Sequence, residues 1–227
     1  MLTHGYVING ADKCIYSKFI NNEGVIMCLY VDDLLIFGTS LDVMHDAKHF
    51  LAANFDMKDL GEANIILGIN ILRDNDCITL SQSHYVEKIL KKFDHFDMSP
   101  MFTPFDSKVH LVKNRGDSVS QDKYAQIISS LMFLTNCTRP DIAHVVGRLS
   151  RYTHNPSIEH WDAISRLLRY LNGSFDYGFS CFGYLAILEG YCDANWISDT
   201  DEVKPTSGYV FTIAGGLSLR NHPNRLA

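Results

Sequence analysis

Residues 25–37 read Val25-Ile26-Met27-Cys28-Leu29-Tyr30-Val31-Asp32-Asp33-Leu34-Leu35-Ile36-Phe37. A continuous apolar run such as the one that begins at Val25 is typical of a strand that is buried on both faces. Asp32 and Asp33 interrupt the run, and apolar residues resume before Gly38. This pattern predicts an apolar β-hairpin with two acidic side chains at its tip.

The neighbouring sequence alternates between strand and helix patterns. Ser40 is a favourable N-cap for a helix that follows the hairpin, and a second hairpin is predicted over residues 65–80. Apolar residues then recur every three or four positions, which predicts helices near residues 83–93, 124–131, 140–149 and 161–171. Strand patterns return over 185–193, ending at Asp193, and over 208–213, whereas residues 217–227 lack apolar periodicity and are predicted to be unstructured. The sequence therefore predicts an α+β fold.

Composition limits the class of protein. The chain has 227 residues, of which 46% are hydrophobic, so it can bury a substantial core. Its longest apolar run is interrupted by Asp32 and Asp33, and its N-terminus lacks a basic flank, so neither a membrane span nor a secretory signal is expected. The six cysteines include no C-x-x-C pair, which favours buried thiols in a reducing compartment. We therefore expect the cytoplasm or the nucleus.

The charge is unevenly distributed along the chain. Residues 1–80 carry 5 basic and 11 acidic side chains, whereas residues 81–180 carry 12 basic and 10 acidic ones. Because contacts with nucleic-acid phosphates come from Lys and Arg, we expect such contacts mainly in the middle of the chain. The acidic first part is what a metal-binding carboxylate site would produce, and an ordinary solvated surface would look the same.

The adjacent carboxylates of Asp32 and Asp33 need a compensating interaction, since like charges at this distance repel each other. A divalent cation is one solution, because Mg²⁺ prefers carboxylate and water oxygens and completes its shell with substrate phosphates. A solvated turn, in which Asp only favours the turn geometry, is the alternative. The dipeptide by itself leaves both interpretations open.

A series of further motifs carries a family resemblance. In chain order they are Leu29-Tyr30-Val31-Asp32-Asp33-Leu34-Leu35-Ile36, Phe55-Asp56-Met57-Lys58-Asp59-Leu60-Gly61-Glu62, Leu80-Ser81-Gln82, Ser130-Leu131-Met132-Phe133-Leu134, Thr138-Arg139-Pro140-Asp141-Ile142, Leu168-Arg169-Tyr170-Leu171, Tyr191-Cys192-Asp193-Ala194-Asn195-Trp196 and Thr206-Ser207-Gly208-Tyr209-Val210-Phe211. This collinear set resembles the reverse transcriptase region of copia-type retrotransposon Pol polyproteins, followed by the start of their RNase H domain. The resemblance runs from about Gly5 to Gly216, nearly the whole chain.

The resemblance implies roles for individual residues. Asp32 and Asp33 would be magnesium ligands of the palm domain, and Tyr30 would lie beside the primer terminus or the incoming nucleotide. Asp193 resembles the first catalytic, metal-binding carboxylate of RNase H; a non-catalytic strand residue is the alternative. Candidate phosphate contacts lie off the apolar faces of two predicted helices, although a solvated helix face explains them equally well: Arg148, Arg151, Arg166 and Arg169.

The resemblance also implies a division of the chain and a set of partners. The expected parts are a partial palm over 1–82 with a primer-grip-like hairpin, a helical thumb and connection over 83–175, and a two-stranded RNase H stub over 176–216 with an unstructured tail over 217–227. The implied activity is RNA-directed DNA polymerisation with cleavage of the hybrid's RNA strand. The implied partners are an RNA template, a DNA primer or RNA–DNA hybrid, and the remainder of the Pol polyprotein, in a cytoplasmic virus-like particle or the nucleus.

Two departures from the family pattern affect the expected activity. The palm of this family uses a third carboxylate upstream of the hairpin, and the only acids before Asp32 are Asp12 and Glu23, both in turn-like sequence. The remaining acids of RNase H would follow the last predicted strand, where the chain continues only to Ala227. We therefore predict an inactive fragment of a polymerase. The alternatives are a non-catalytic remnant that binds RNA–DNA hybrid, and a structural fragment that is not stably folded.

Overall fold

The structure is a computed structural model that describes residues 1–74, 77–106, 108–182, 187–199, 204–213 and 216–219. It divides into two compact units, Met1–Ala63 and Asn64–Ala227. Both units contain helices and antiparallel sheets, so the predicted α+β class is confirmed. Of the helices in the described ranges, none is long and apolar enough to span a membrane.

The first unit is a four-stranded antiparallel sheet with one helix. Its elements are β1 (Val7–Ile8), β2 (Ile15–Ile20), β3 (Glu23–Tyr30), β4 (Asp33–Gly38) and α1 (Leu41–Asn54), after a short 3-10 helix, Leu2–His4. The strands neighbour one another in chain order, β1-β2-β3-β4. The small core between sheet and helix contains Tyr6, Val25, Met27, Ala47 and Leu51. This core holds the β3–β4 hairpin against α1.

Local sequence explains how this unit turns. Asn21 and Asn22 connect β2 to β3 with φ angles of 50° and 67°, values that Asn adopts more readily than most residues. The side chain of Ser40 accepts a hydrogen bond from the backbone nitrogen of Val43 at 3.5 Å, as predicted for an N-cap. The turn of the β2–β3 hairpin and the start of α1 therefore follow from short-range chemistry.

The second unit combines helices with two antiparallel sheets. Its elements are β5 (Ile65–Ile66), β6 (Ile69–Asp74), β7 (Cys77–Ser81), α2 (Ser83–Lys92), α3 (Gln121–Cys137), α4 (Ala143–Ser150), α5 (Ile158–Gly173), β8 (Gly178–Phe182), β9 (Leu188–Asp199), β10 (Lys204–Ile213) and β11 (Gly216–Leu219). One sheet has the order β5-β6-β7-β8 and the other β11-β10-β9. A 3-10 turn, Pro140–Ile142, precedes α4. The four predicted helices are thus all present.

The apolar faces of these helices form the larger core of the chain. Fully or almost fully buried side chains come from every helix: Val86, Ile89, Leu90, Tyr124, Ile127, Ile128, Leu131, Leu134, Val145, Val146, Leu149, Ile164, Leu167, Leu168 and Leu171. Tyr124 keeps its hydroxyl satisfied by donating to the carbonyl oxygen of Leu149 at 3.0 Å. The helical periodicity of the sequence therefore identifies the core correctly.

An irregular segment, residues 93–106, lies against α5; we call it the strap. Asn172 Nδ2 on α5 donates to the carbonyl oxygen of Met98 at 2.9 Å. The backbone nitrogen of Met101 donates to the carbonyl oxygen of Arg169 at 3.1 Å. Backbone and side-chain hydrogen bonds thus position the strap.

The C-terminal strands differ from the sequence-based prediction. The strand predicted to end at Asp193 continues to Asp199, because β10 pairs with it beyond that point, with Thr206 opposite Asn195. Residues 217–219, predicted to be unstructured, belong to β11, which pairs with the end of β10. A short edge strand needs only backbone partners, so its residues carry no apolar periodicity. The predicted two-stranded stub is therefore a three-stranded sheet, and residues 220–227 lie outside the described part.

The compact units also divide the chain differently from the expected 1–82, 83–175 and 176–216. The division falls between Ala63 and Asn64, so the β6–β7 hairpin belongs with the helices. Strand β8 was not predicted; it lies within the range expected for the RNase H part and pairs with β7, with Ser180 opposite Thr79. This pairing joins residues about a hundred positions apart, which local patterns do not reveal. Part of the predicted strand from Leu185 lies outside the described residues.

Candidate active site

The tip of the β3–β4 hairpin carries the two adjacent carboxylates. Tyr30 at the end of β3 pairs with Asp33 at the start of β4, so Val31 and Asp32 form a two-residue connection. The antiparallel ladder continues behind them to Val25 opposite Gly38. The predicted acidic hairpin is therefore confirmed, and a regular two-strand ladder holds both carboxylates at one end of the sheet.

The turn itself is strained. Val31 has a φ of 51°, in the left-handed region that a β-branched residue rarely adopts. Two-residue hairpin loops favour Gly, Asn or Asp where φ is positive, so a Val here costs free energy of order 1–3 kcal/mol. Its side chain is 79% exposed, so burial does not offset this cost. Strain of this kind at an exposed turn is common at functional sites.

The surroundings of the acidic tip are open. Asp32 and Asp33 are both exposed, and the neighbouring Tyr30 is 55% exposed. Their carboxylate oxygens are the donors that Mg²⁺ prefers, so the residue types fit the expected metal. Across the described ranges, however, no three acidic, His or Cys side chains are grouped so that they could hold a metal ion. The carboxylates are therefore of the chemical kind that Mg²⁺ binds, but the described residues supply only two of them at this tip.

The two upstream acids do not complete this pair. Glu23 begins β3, at the opposite end of the hairpin from Asp33. Tyr30 lies seven positions further along the same strand, roughly 23 Å away at about 3.3 Å per residue. Asp12 lies in the loop before β2, where its carboxylate accepts a hydrogen bond from the Cys14 backbone nitrogen at 2.9 Å. Asp12 therefore has a local role in shaping its turn.

Asp193 lies in the other compact unit. It occupies the sixth position of the twelve-residue strand β9 and pairs with Gly208 of β10. The prediction that Asp193 ends its strand is wrong, because the ladder with β10 continues to Asp199. The position of its side chain lies outside the described part of the chain.

The four candidate phosphate-binding arginines fall into two groups. Arg166 donates to Thr103 Oγ1 at 2.8 Å, and Arg169 donates to the carbonyl oxygen of Ser99 at 2.7 Å, so both hold the strap. Arg148 stacks over the ring of Phe105, with its guanidinium carbon 4.9 Å from the ring centre. Arg151, which follows α4, is exposed.

Sequence reasoning missed a buried charged cluster centred on Arg139. This side chain is only 1% exposed, and its guanidinium donates to both carboxylate oxygens of Asp141 at 2.9 and 2.8 Å. It also donates to the carbonyl and hydroxyl oxygens of Ser174, at 3.0 and 2.7 Å. Tyr170 donates its hydroxyl proton to Asp141 at 2.9 Å and lies, like Tyr177, against the guanidinium. The motif Thr138-Arg139-Pro140-Asp141 was a signal, although it did not indicate burial.

The cluster shifts the acidity of its members. Partial burial is the largest single effect on Asp141 and by itself would raise the pKa of its carboxyl group. The hydrogen bonds and charge of Arg139 outweigh it, with a smaller contribution from Tyr170, so the pKa of Asp141 is lowered overall. Burial, followed by the hydrogen bond to Asp141, raises the pKa of Tyr170. The lowered pKa keeps Asp141 ionised, as its ion pair with Arg139 requires.

Comparisons with known proteins show which sequences this chain is similar to. A family model described as "Reverse transcriptase (RNA-dependent DNA polymerase)" matches residues 1–107. The Pol polyprotein from transposon TNT 1-94 of Nicotiana tabacum is 40% identical over 95% of this chain, which spans 17% of that protein. Those from transposons RE2 and RE1 of Arabidopsis thaliana are 33% and 34% identical over 98% of this chain, which spans 15% of each. No solved structure matches the chain.

The matched family and the named relatives are of the kind that the motifs of the sequence resemble. The family model covers the whole first unit, including Asp32 and Asp33, and extends through α2 and the strap. The chain therefore belongs to the copia-type retrotransposon Pol polyproteins and carries reverse transcriptase sequence of that family.

Proposed function

We propose that Asp32 and Asp33 are catalytic carboxylates of RNA-directed DNA polymerisation. The observation that carries this proposal is the two-residue turn of the β3–β4 hairpin, which holds both acids, exposed, at one end of an antiparallel sheet. Phosphoryl transfer depends mainly on positioning and on stabilising charge, so carboxylates on a strand ladder suit it better than carboxylates on an irregular loop.

The residues of the hairpin divide the work of the site. Asp32 and Asp33 would hold Mg²⁺, which when bound stabilises negative charge on the transferring phosphoryl group. The exposed ring of Tyr30, directly opposite Asp33 in the ladder, would contact the primer terminus or the incoming nucleotide. The substrates in this proposal are an RNA template and a DNA primer, and the remainder of the Pol polyprotein completes the enzyme.

The 227-residue chain by itself is proposed not to polymerise DNA. Among the residues that the structure describes, no third acidic, His or Cys side chain joins Asp32 and Asp33 as a potential metal ligand. Two exposed carboxylates bind Mg²⁺ weakly, since this ion usually retains several waters and relies on substrate phosphates as well.

Primer extension on an RNA template tests this directly. With Mg²⁺, we expect the 227-residue chain to extend the primer no faster than its Asp32→Asn/Asp33→Asn variant. A reverse transcriptase of the same family, assayed in parallel, verifies that primer, template and nucleotides are competent. Extension by the chain that the double variant lacks would show that two carboxylates suffice and would refute the proposed inactivity.

The C-terminal strands are proposed to begin an RNase H domain. The supporting observations are the order of the motifs around Tyr191–Trp196 and the long antiparallel ladder of β9 and β10. Asp193, in the middle of β9, would be the first metal-binding carboxylate of that domain. The proposal concerns the polyprotein, since a single carboxylate cannot form a paired-metal site.

A second candidate function is binding of RNA–DNA hybrid without catalysis. The observation that favours it is the placement of Arg148 and Arg151 at the end of α4, where Arg151 is exposed. Arg166 and Arg169 are also candidates, but their guanidinium groups already donate to strap residues. Arg148 also contacts the strap, by stacking on Phe105, but stacking does not use the N–H donors of its guanidinium, so hybrid binding would depend mainly on Arg148 and Arg151.

The two pairs of arginines can be compared by substitution. We expect Arg148→Gln/Arg151→Gln to weaken hybrid binding and to reduce the slope of log K against log salt by roughly 1–2, because about two phosphate contacts are lost. The matched control, Arg166→Gln/Arg169→Gln, removes the same charge but should change the slope less. Fluorescence anisotropy at several salt concentrations measures both. Equal slopes of log K against log salt for the wild type and both variants would exclude these arginines as contacts with the hybrid.

A further inference from the structure

The strap contains an unusual pair of sequence motifs. The chain has six prolines, and two of them follow a hydroxyl residue, in Ser99-Pro100 and Thr103-Pro104. Both motifs lie in the strap, and both Ser99 and Thr103 are exposed. The residue before a proline is biased towards extended backbone, the conformation that protein kinases bind. Phe102, between the two motifs, is 95% exposed and is available to a partner's pocket.

Each of the two hydroxyl groups already faces an arginine of α5. Arg169 Nη2 donates to Ser99 Oγ at 2.8 Å, and Arg166 Nη2 donates to Thr103 Oγ1 at 2.8 Å. The two arginines are three residues apart, so they lie on the same side of the helix. The spacing of the motifs thus matches the spacing of their basic partners.

The arginines have capacity for further acceptors. Arg166 Nε is buried and has no hydrogen-bond partner within the described residues. Among the described residues, its acidic contact is with Asp106, at 3.4 Å, which is long for an ion pair. A phosphate supplies three strong acceptor oxygens and a charge of about −1.5 to −2, and the planar guanidinium binds it in a bidentate manner.

We propose that Ser99 and Thr103 are phosphorylation sites for a proline-directed protein kinase, with Arg169 and Arg166 as the receptors of the two phosphates. In each transfer the hydroxyl oxygen forms a bond to the γ-phosphorus of ATP while the bond to the bridging oxygen of ADP breaks. The hydroxyl proton passes to the kinase's general base, and ADP leaves.

Modification would fasten the strap to α5. Each neutral hydroxyl acceptor becomes a charged one, and hydrogen bonds between ionised groups are roughly twice as strong as neutral ones. The phosphate on Thr103 would compete with Asp106 for Arg166. This inference is independent of polymerase activity, since it uses residues of the strap and α5 alone.

The test begins with the complete chain, ATP and a proline-directed kinase of the cyclin-dependent class. A synthetic peptide of residues 94–108 serves as the accessible reference substrate. We expect mass spectrometry to locate phosphate on Ser99 and Thr103 of the chain, and none in Ser99→Ala/Thr103→Ala. Absence of phosphate at both positions in the chain overturns the proposal, whether or not the peptide is modified.

The second measurement tests the arginine receptors. The backbone amide of Met101 donates to Arg169 O, so its hydrogen exchange reports opening of the strap. We expect phosphorylation to slow this exchange roughly tenfold in the wild type. Arg166→Gln/Arg169→Gln should be phosphorylated without this slowing, and Arg166→Lys/Arg169→Lys, which keeps the charge, should show a smaller effect. Unchanged exchange in the wild type, or equal slowing in the Gln variant, refutes the arginine receptors.

Discussion

Arg139→Gln is expected to lower the free energy of unfolding of the helical core by about 2–3 kcal/mol, because a buried guanidinium loses its charged hydrogen bonds, whereas the Asp141 side chain is 35% exposed and keeps part of its hydration. The guanidinium is 1% exposed and donates to Asp141 and Ser174. Gln cannot supply the paired donors that the Asp141 carboxylate accepts, and it leaves the Ser174 carbonyl without its charged partner. Urea denaturation followed by circular dichroism measures the change.

A surface pair provides the matched control. Lys91 contacts Glu87 at 2.6 Å on the exposed face of α2, and Lys91→Gln should cost no more than about 0.5 kcal/mol. The comparison separates loss of a buried charge from loss of any ion pair. A cost for Arg139→Gln similar to that of Lys91→Gln would mean that the cluster does not hold the helices together. Absence of a cooperative transition in the wild type would favour the unfolded-fragment alternative.

The same cluster predicts a dependence on pH. Because the pKa of Asp141 is lowered in the folded state, the unfolded chain binds a proton more readily as the pH falls. The contribution of Asp141 is therefore complete above about pH 4, near its unfolded pKa, and is lost as the pH falls through the lowered folded pKa. The difference in stability between the wild type and Arg139→Gln should narrow at low pH. A difference that stays constant below pH 4 would contradict the role of the ion pair.

Loss of both hairpin carboxylates should abolish polymerisation in a complete enzyme. We would replace the corresponding hairpin of an active copia-type reverse transcriptase with Glu23–Gly38 of this chain, and then introduce Asp32→Asn/Asp33→Asn. Because the carboxylates would hold the catalytic metal, we expect a fall in primer extension of at least about 10³-fold, equivalent to roughly 4 kcal/mol in the barrier. Single-turnover primer extension measures the rate.

Glu23→Gln in the same grafted hairpin is the control, because Glu23 lies at the end remote from the tip. It should change the rate less than about twofold. An active graft that tolerates Asp32→Asn/Asp33→Asn would refute the catalytic assignment. A folded graft that is inactive even with both aspartates would show that this hairpin cannot form the site.

Local features of the chain were predictable where short-range chemistry decides them. The acidic hairpin follows from apolar runs on both sides of Asp32 and Asp33, and its turn needs only two residues. The start of α1 follows from the capping side chain of Ser40. Strand β11 was missed because four residues are too few to show a period.

Two further features depended on residues that are distant in sequence. Thr79 and Ser180 share a hydrogen bond of 2.9 Å across the β7–β8 pair, although 101 positions separate them. Arg166 and Arg169 lie off the apolar face of α5, as expected, but the strap returns to cover them. A helical pattern shows which side a residue occupies, and it does not show what packs there.

By itself, the sequence determined the family, the α+β class and the acidic hairpin. The order of motifs along the chain identifies the family, whereas apolar periodicity and turn chemistry depend only on neighbouring residues. Only the tertiary structure decided which charged side chains are buried, paired or exposed. Arg139 illustrates the reason: its burial depends on Asp141 and on Ser174, which lies 35 residues away, and a charge is tolerated in a core only when such partners are in place.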